Sequence, residues 1–257
     1  MTTKKSGALM TEPFTVPDNV CWVWFDLDDT LYDFSGNSDI CLGEVYDMAR
    51  LDRWWDTVSS WREHYHRINH ELWELYAPGL IDRATLRRER FVRPLTEAGC
   101  PTAEAEELWP ELDRLYLGLL GQKSATIPGA VEVVRRMRAR GKKIGVLSNG
   151  FKEVQYSKLS SIGLSHLVDC VVLSDEIDIN KPDKRFFDYA LAKSGATGAD
   201  SLLVGDNPDT DIAGALAAGW RALWLAAPEA IPTETLEARS QIAKERYFRT
   251  SALDDIL

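Results

Sequence analysis

Between residues 128 and 225 the chain alternates short apolar runs with helical segments, and few architectures accept that order. Residues 130–140 read as an amphipathic helix, preceded by Pro128 and Gly129 and followed by Gly141. Residues 143–147 read as a strand, and after Ser148-Asn149-Gly150 a helix is expected at 151–162. Strands at 168–173, 201–204 and 221–225 and helices at 185–193 and 212–218 continue the series, with a further strand at 246–249 and a short final helix. This order implies an α/β fold whose core is a doubly wound parallel sheet, Rossmann-like, covered by helices. Ligands bind such sheets at the C-terminal ends of the strands.

The first strand is expected at residues 20–25, an unbroken apolar run suited to burial on both faces. Asp26, Asp28 and Asp29 follow it directly. If the extended form persists, Asp26 and Asp28 project to one side and Leu27 to the other. Like charges that close are unfavourable without a cation, and Mg²⁺, which takes one or two carboxylates together with phosphate and water, resolves the repulsion. A solvated acidic turn is the alternative, but a turn has no need of the Asp-x-Asp-x-Thr order from Asp26 to Thr30.

Further polar groups stand at later strand ends. Ser148 follows an apolar strand and precedes a helix, so its hydroxyl and the backbone N–H groups of Asn149 and Gly150 form a candidate phosphate cradle. Lys181 precedes Pro182, beyond the 168–173 strand and a short acidic loop, and Asp206 and Asp211 surround a turn after the 201–204 strand. Singly, Ser148 reads as an N-cap, Lys181 as a surface lysine and Asp206 as an Asx turn. Their joint placement points instead to one site.

These motifs, Asp26-Leu27-Asp28-Asp29-Thr30, Ser148, Lys181 and Gly205-Asp206 with Asp211, resemble those of the haloacid dehalogenase-like hydrolase superfamily, and the likeness covers nearly all of the chain after its first residues. The resemblance implies that Asp26 attacks phosphorus to give an aspartyl-phosphate, while Asp28 protonates the leaving oxygen and then activates water. It further implies that Thr30 and Ser148 support the nucleophile and the phosphate, and that Lys181 neutralises their charge. Asp26, Asp206 and the Asp28 carbonyl would hold Mg²⁺, with Asp211 behind them or orienting Lys181. Phosphoryl transfer in general asks for such parts: fixed positive charge at the equatorial oxygens, and a nucleophile that splits hydrolysis into two easier steps. An acid two residues after the nucleophile favours phosphatase or phosphomutase over the dehalogenase branch.

From residue 33 to 126 the pattern is helical, about ninety residues and too long for a connection between neighbouring sheet elements. It is expected to be an inserted helical cap domain, with 19–32 and 127–257 as the catalytic core and 1–18, which carries Lys4 and Lys5 but no apolar signal, as a flexible tail. Trp54, Val58, Trp61, Tyr65, Ile68, Leu72 and Leu75 form one apolar stripe of a long helix. Beside it, Arg62, His66, Asn69, Trp73 and Tyr76 either line a pocket or form a partly exposed flank. Arg83, Arg87 and Arg90 are expected to be a solvated row. His66 and His70 share a helix face at a metal-binding spacing, without a third ligand of clear identity.

More narrowly, Leu31-Tyr32-Asp33-Phe34 with Asn37-Ser38, Tyr65-His66 with Asn69, Leu72-Trp73 with Tyr76, Leu86-Arg87 with Arg90-Phe91, and Ser148-Asn149-Gly150-Phe151 with Glu153-Val154-Gln155 resemble the noncanonical pyrimidine 5′-nucleotidase branch. That likeness implies a cap that closes over the site and selects the substrate, with His66, Asn69, Trp73, Tyr76 and Arg87 joining Asn149 and Gly150 as substrate-binding candidates. Trp73 and Tyr76 stack on a nucleobase or simply pack.

The net charge of −10 argues against a nucleic-acid polymer or an anionic membrane as the main partner, and nothing approaches a transmembrane span. Cys21, Cys41, Cys100 and Cys170 are scattered, which fits free thiols in a reducing cytoplasm. The expected partner is a small phosphate monoester, a nucleoside monophosphate first of all. A sugar-phosphate phosphatase or phosphomutase on the same core, and a nucleotide-binding protein without turnover, are the alternatives.

Overall fold

The computed structural model describes residues 13–242 and 245–257. The chain forms two compact units, one built from the segments up to Asp33 and from Ser124 onward, the other from Phe34–Lys123. In chain order the elements are β1 (Trp22–Phe25), then helices α1 (Phe34–Met48), α2 (Val58–Tyr76), α3 (Arg83–Glu97) and α4 (Thr102–Leu120). They are followed by α5 (Ala130–Ala139), β2 (Lys143–Ser148), α6 (Lys152–Ser161), β3 (Cys170–Leu173), α7 (Lys184–Ser194) and β4 (Ser201–Gly205). A π-type turn at Pro208–Ala213 leads into α8 (Gly214–Ala217), and β5 (Arg221–Leu225), α9 (Glu234–Ile242) and β6 (Tyr247–Thr250) complete the chain. Among the described residues no helix is long and apolar enough to cross a membrane.

Among the described residues the six strands are all parallel, in the order β3-β2-β1-β4-β5-β6, as the alternating sequence pattern requires. The chain winds outward from β1 to β3, then returns to lay β4 on the other side of β1. The ends of β1 and β4 therefore lie at the topological switch, where a doubly wound sheet opens a crevice. Registers Phe25↔Val146 and Phe25↔Val204 hold the three central strands level, so Asp26, Ser148 and Asp206 emerge along one edge. Trp24 is fully buried and lies 5.0 Å from Trp22 and 5.6 Å from Trp220 between ring centroids. Each such burial contributes about 1.5–3 kcal/mol or more.

Two expectations need correction in this unit. The extended form does not persist to Asp28: β1 ends at Phe25, and the Leu27 carbonyl accepts from both Leu31 N–H (3.0 Å) and Tyr32 N–H (2.9 Å). That coil puts Asp29 at φ 56°, so a turn rather than the pleat places Asp28 relative to Asp26. The expected tail also does not hold at Phe14 and Val16. Phe14 and Val16 are 3% and 0% exposed and pair through their backbone with Asp255 and Leu257, and Phe14 packs on Phe248 at 4.7 Å. Residues 1–12 lie outside the described residues.

In the helical unit, side chains cap the starts of two helices: Thr57 Oγ1 accepts from Ser60 N–H at 3.2 Å and Asp82 Oδ1 from Thr85 N–H at 2.7 Å. The apolar stripe of α2 is buried at Trp61, Tyr65, Ile68 and Leu72, while Trp54 precedes the helix and Leu75 is exposed. The adjacent row from Arg62 to Tyr76 is half-buried. The expected solvated arginine row is wrong at two positions. Arg87 Nε donates to Asp113 Oδ2 at 2.9 Å and Arg90 Nη2 to Asp113 Oδ1 at 2.5 Å, with Asp113 and Arg90 buried. Their partner sits on α4, beyond the reach of any helix-periodicity argument. Removing one member of such a cluster strands the others, so Asp113→Ala is expected to cost about 3–5 kcal/mol in urea denaturation; an unchanged midpoint would refute the cluster's role.

Candidate active site

Asp26 leaves β1 with its N–H still bonded to Val204 O at 2.9 Å, so the sheet fixes its backbone. Lys181, 2% exposed, sends Nζ to Asp26 Oδ1 (2.5 Å), Asp211 Oδ1 (2.6 Å) and the Leu147 carbonyl (2.9 Å), which uses all three of its donors. Burial alone would depress the Lys181 pKa, but the Asp211 and Asp26 carboxylates more than reverse that and hold the ammonium charged.

Asn149 secures Lys181 from behind. Its Nδ2 donates to Lys181 O at 3.1 Å and its Oδ1 accepts from Lys181 N–H at 2.8 Å. The side chain of this predicted substrate residue thus positions the lysine, and its backbone N–H remains the part assigned to the cradle.

The turn after β4 is built around carboxylates. A Cβ on Gly205 would lie 2.5 Å from Asp211 Oδ2, so only glycine lets Asp211 fold back against the strand end. Asp211 Oδ2 accepts from Asn207 N–H at 3.1 Å, and Asn207 Oδ1 accepts from Asp209 N–H (3.0 Å) and Thr210 N–H (2.9 Å). Thr30 Oγ1 donates to Asp206 Oδ1 at 3.0 Å, joining the first loop to the fourth.

Carboxylate oxygens of Asp26, Asp206 and Asp211 all lie within 4.8 Å of one another. Burial raises Asp26 well above the usual carboxylate range; Lys181 opposes this, while Asp211, Asp206 and Asp28 reinforce it. Burial also raises Asp206 to about 7, helped by Asp211 and Asp29 and opposed by the Thr30 hydroxyl and Lys181. Crowded, buried, oxygen-only donors suit a hard divalent cation. Both Asp211 oxygens already accept hydrogen bonds, from Lys181 and from Asn207 N–H, which leaves Asp26 and Asp206 as the better-suited pair.

Ser148 Oγ accepts from Gly150 N–H (3.2 Å) and from Gln155 Nε2 (2.6 Å). Asp28 is held at both oxygens: Oδ1 by Lys158 Nζ at 2.6 Å and Oδ2 by Gln155 Nε2 at 2.9 Å. Sequence reasoning assigned no role at the site to Lys158 or Gln155. The signal was there, because both fall on the face of α6 that Val154 and Leu159 bury, where an amphipathic helix would carry apolar residues.

The remaining substrate candidates belong to the helical unit. His66 Nε2 lies 2.6 Å from Asp39 Oδ1, Trp73 and Tyr76 meet edge to face at 5.3 Å, and Arg87 is committed to Asp113. Asn69 Oδ1 is buried without a hydrogen-bond partner. His70 lies 3.5 Å from Glu74 and His66 faces Asp39, so the two rings turn to separate carboxylates rather than to one metal position.

Comparison with known proteins bears on this geometry. The family described as haloacid dehalogenase-like hydrolase matches residues 22–219, a span that contains the candidate site residues from Asp26 to Asp211. Pyrimidine 5′-nucleotidase YjjG of Escherichia coli is 30% identical over 229 residues, covering 86% of this chain and 95% of that protein. Phosphoserine phosphatase of Thermus thermophilus is 32% identical over 219 residues, covering 78% and 86%. Among solved structures, the magnesium-bound putative HAD-hydrolase YfnB of Bacillus subtilis superposes with a TM-score of 0.73 at 25% identity, covering 86% of this chain and 97% of that one.

Proposed function

The chain belongs to the haloacid dehalogenase-like hydrolase family and is a phosphatase, and on that premise we propose that it hydrolyses nucleoside 5′-monophosphates, pyrimidine ones first, through an aspartyl-phosphate on Asp26. The observation that carries the mechanism is the buried Lys181 ammonium between Asp26 and Asp211, at 2.5 and 2.6 Å. A fixed cation there opposes the burial that raises Asp26, and stands ready to offset charge on a transferring phosphoryl group. Asp26, Asp206 and the Asp28 carbonyl would hold Mg²⁺, which when bound supplies positive charge to the phosphoryl oxygens. Thr30 fixes Asp206, Ser148 and the N–H groups of Asn149 and Gly150 receive the phosphate, the Gly150 N–H turning to it from Ser148 Oγ, and Asp28 passes a proton to the leaving oxygen and later takes one from water.

The base preference draws on the half-buried Trp73 and Tyr76, whose rings offer stacking faces, with His66, Asn69 and Arg87 nearby in sequence or on the next helix. It also draws on the likeness to a pyrimidine 5′-nucleotidase. The likeness to a phosphoserine phosphatase favours a second reading, a phosphatase of small metabolite or sugar phosphates on the same core. The four free cysteines, three of them buried, suit a reducing cytoplasm.

A panel of phosphate monoesters decides between the readings. With Mg²⁺ present, kcat/KM for dUMP, UMP or dTMP is expected to exceed that for phosphoserine and sugar phosphates by about tenfold or more, and chelation with EDTA to abolish release. The reverse order transfers the assignment to the second reading. Tight nucleotide binding with no hydrolysis would overturn both.

A further inference from the structure

The chemistry proposed above leaves a buried lysine without a task. Lys158 on α6 has a side chain 3% exposed, with Nζ 2.6 Å from Asp28 Oδ1 and 5.1 Å from the Tyr32 ring centroid. One helical turn earlier, Gln155 is 1% exposed and its Nε2 reaches both Asp28 Oδ2 (2.9 Å) and Ser148 Oγ (2.6 Å). Gly150 makes room for this: a Cβ there would lie 2.3 Å from Gln155 Nε2. Burying an ammonium on the inward face of a helix is costly unless it is paired, and an aliphatic side chain would serve packing better. The pair converges on one carboxylate from two directions and ties it to the serine expected to hold the phosphate. A carboxylate gripped at one oxygen can still swing about χ1 and χ2, whereas one gripped at both is fixed.

We infer that Lys158 and Gln155 are positioning residues that fix the Asp28 carboxyl for proton delivery to the leaving oxygen and couple it to the phosphate through Ser148. The inference rests on the reading of Asp28 as the acid. In that step an Asp26 oxygen bonds to phosphorus, the bond between phosphorus and the leaving oxygen breaks, and the Asp28 proton goes to the departing oxygen. Water then bonds to phosphorus and returns a proton to Asp28 as the link to Asp26 breaks. A misplaced Asp28 hurts the first half only where the leaving group needs that proton.

Two probes of similar size separate positioning from mere folding: p-nitrophenyl phosphate, whose phenolate departs unaided, and benzyl phosphate, whose alkoxide does not. The measured quantity is kcat/KM, which reports steps up to leaving-group departure, on the full chain with Mg²⁺. For Lys158→Met we expect a loss of about 100-fold with benzyl phosphate and under about threefold with p-nitrophenyl phosphate, with the same split at about tenfold in Gln155→Met. Equal losses on both probes, or no loss on either, would overturn the inference while leaving the phosphatase reading intact. If Lys158→Met does not fold, the Gln155→Met split decides alone. A wild-type chain inactive on both probes would remove the inference and the reading beneath it together.

Discussion

Asp26→Asn is expected to lower turnover of every phosphate monoester by at least about 10⁴-fold while leaving the fold intact. The amide keeps the shape of the carboxylate and can still accept from Lys181 Nζ, now 2.5 Å from Asp26 Oδ1, but it cannot attack phosphorus. Stability is expected to hold or rise, because Asp26 is buried among Asp211, Asp206 and Asp28, and one charge fewer relieves that crowding. Activity and stability therefore move in opposite directions, which a generally damaging substitution would not produce. Steady-state phosphate release together with a thermal melt reads both; retention of a tenth of wild-type turnover would sink the assignment.

Lys181→Met is expected to do the opposite on the stability side. It strips the cation from two buried carboxylates, Asp26 and the 1%-exposed Asp211, and a stranded buried charge costs about 3–5 kcal/mol. It also removes the charge offset at the transferring group, for a loss of about 10²–10³-fold or more in kcat. The double variant Lys181→Met with Asp211→Asn is expected to regain part of the stability and none of the activity. Full recovery of activity in the double variant would mean that Lys181 serves only to balance Asp211.

The sheet was legible because its strands are mostly short apolar runs: 20–25 and 143–147 contain the β1 and β2 cores with ends shifted by one or two residues. Strand ends then located Asp26, Ser148 and Asp206 on one edge, since a parallel sheet sends its carboxyl ends the same way. What stayed hidden depended on partners remote in sequence. Arg87 and Arg90 read as a surface row because Asp113, the carboxylate that pairs with both, is 26 and 23 positions away on another helix. For Lys158 the face it occupies on α6 was a signal, but its partner was not: Asp28 lies 130 positions earlier. The turn after Phe25 eluded periodicity altogether, because the Leu27 carbonyl takes two N–H donors and ends the pleat, a choice that local propensity does not encode.

Phosphate is expected to pass through a covalent bond to Asp26. Mixing the chain with Mg²⁺ and a nucleoside 5′-monophosphate, quenching in acid within one turnover and mapping the adduct by peptide mass spectrometry tests it directly. One phosphoryl group is expected on the peptide that carries Asp26, and none in Asp26→Asn. Full turnover with no adduct on that peptide, or an adduct on another residue, would contradict it.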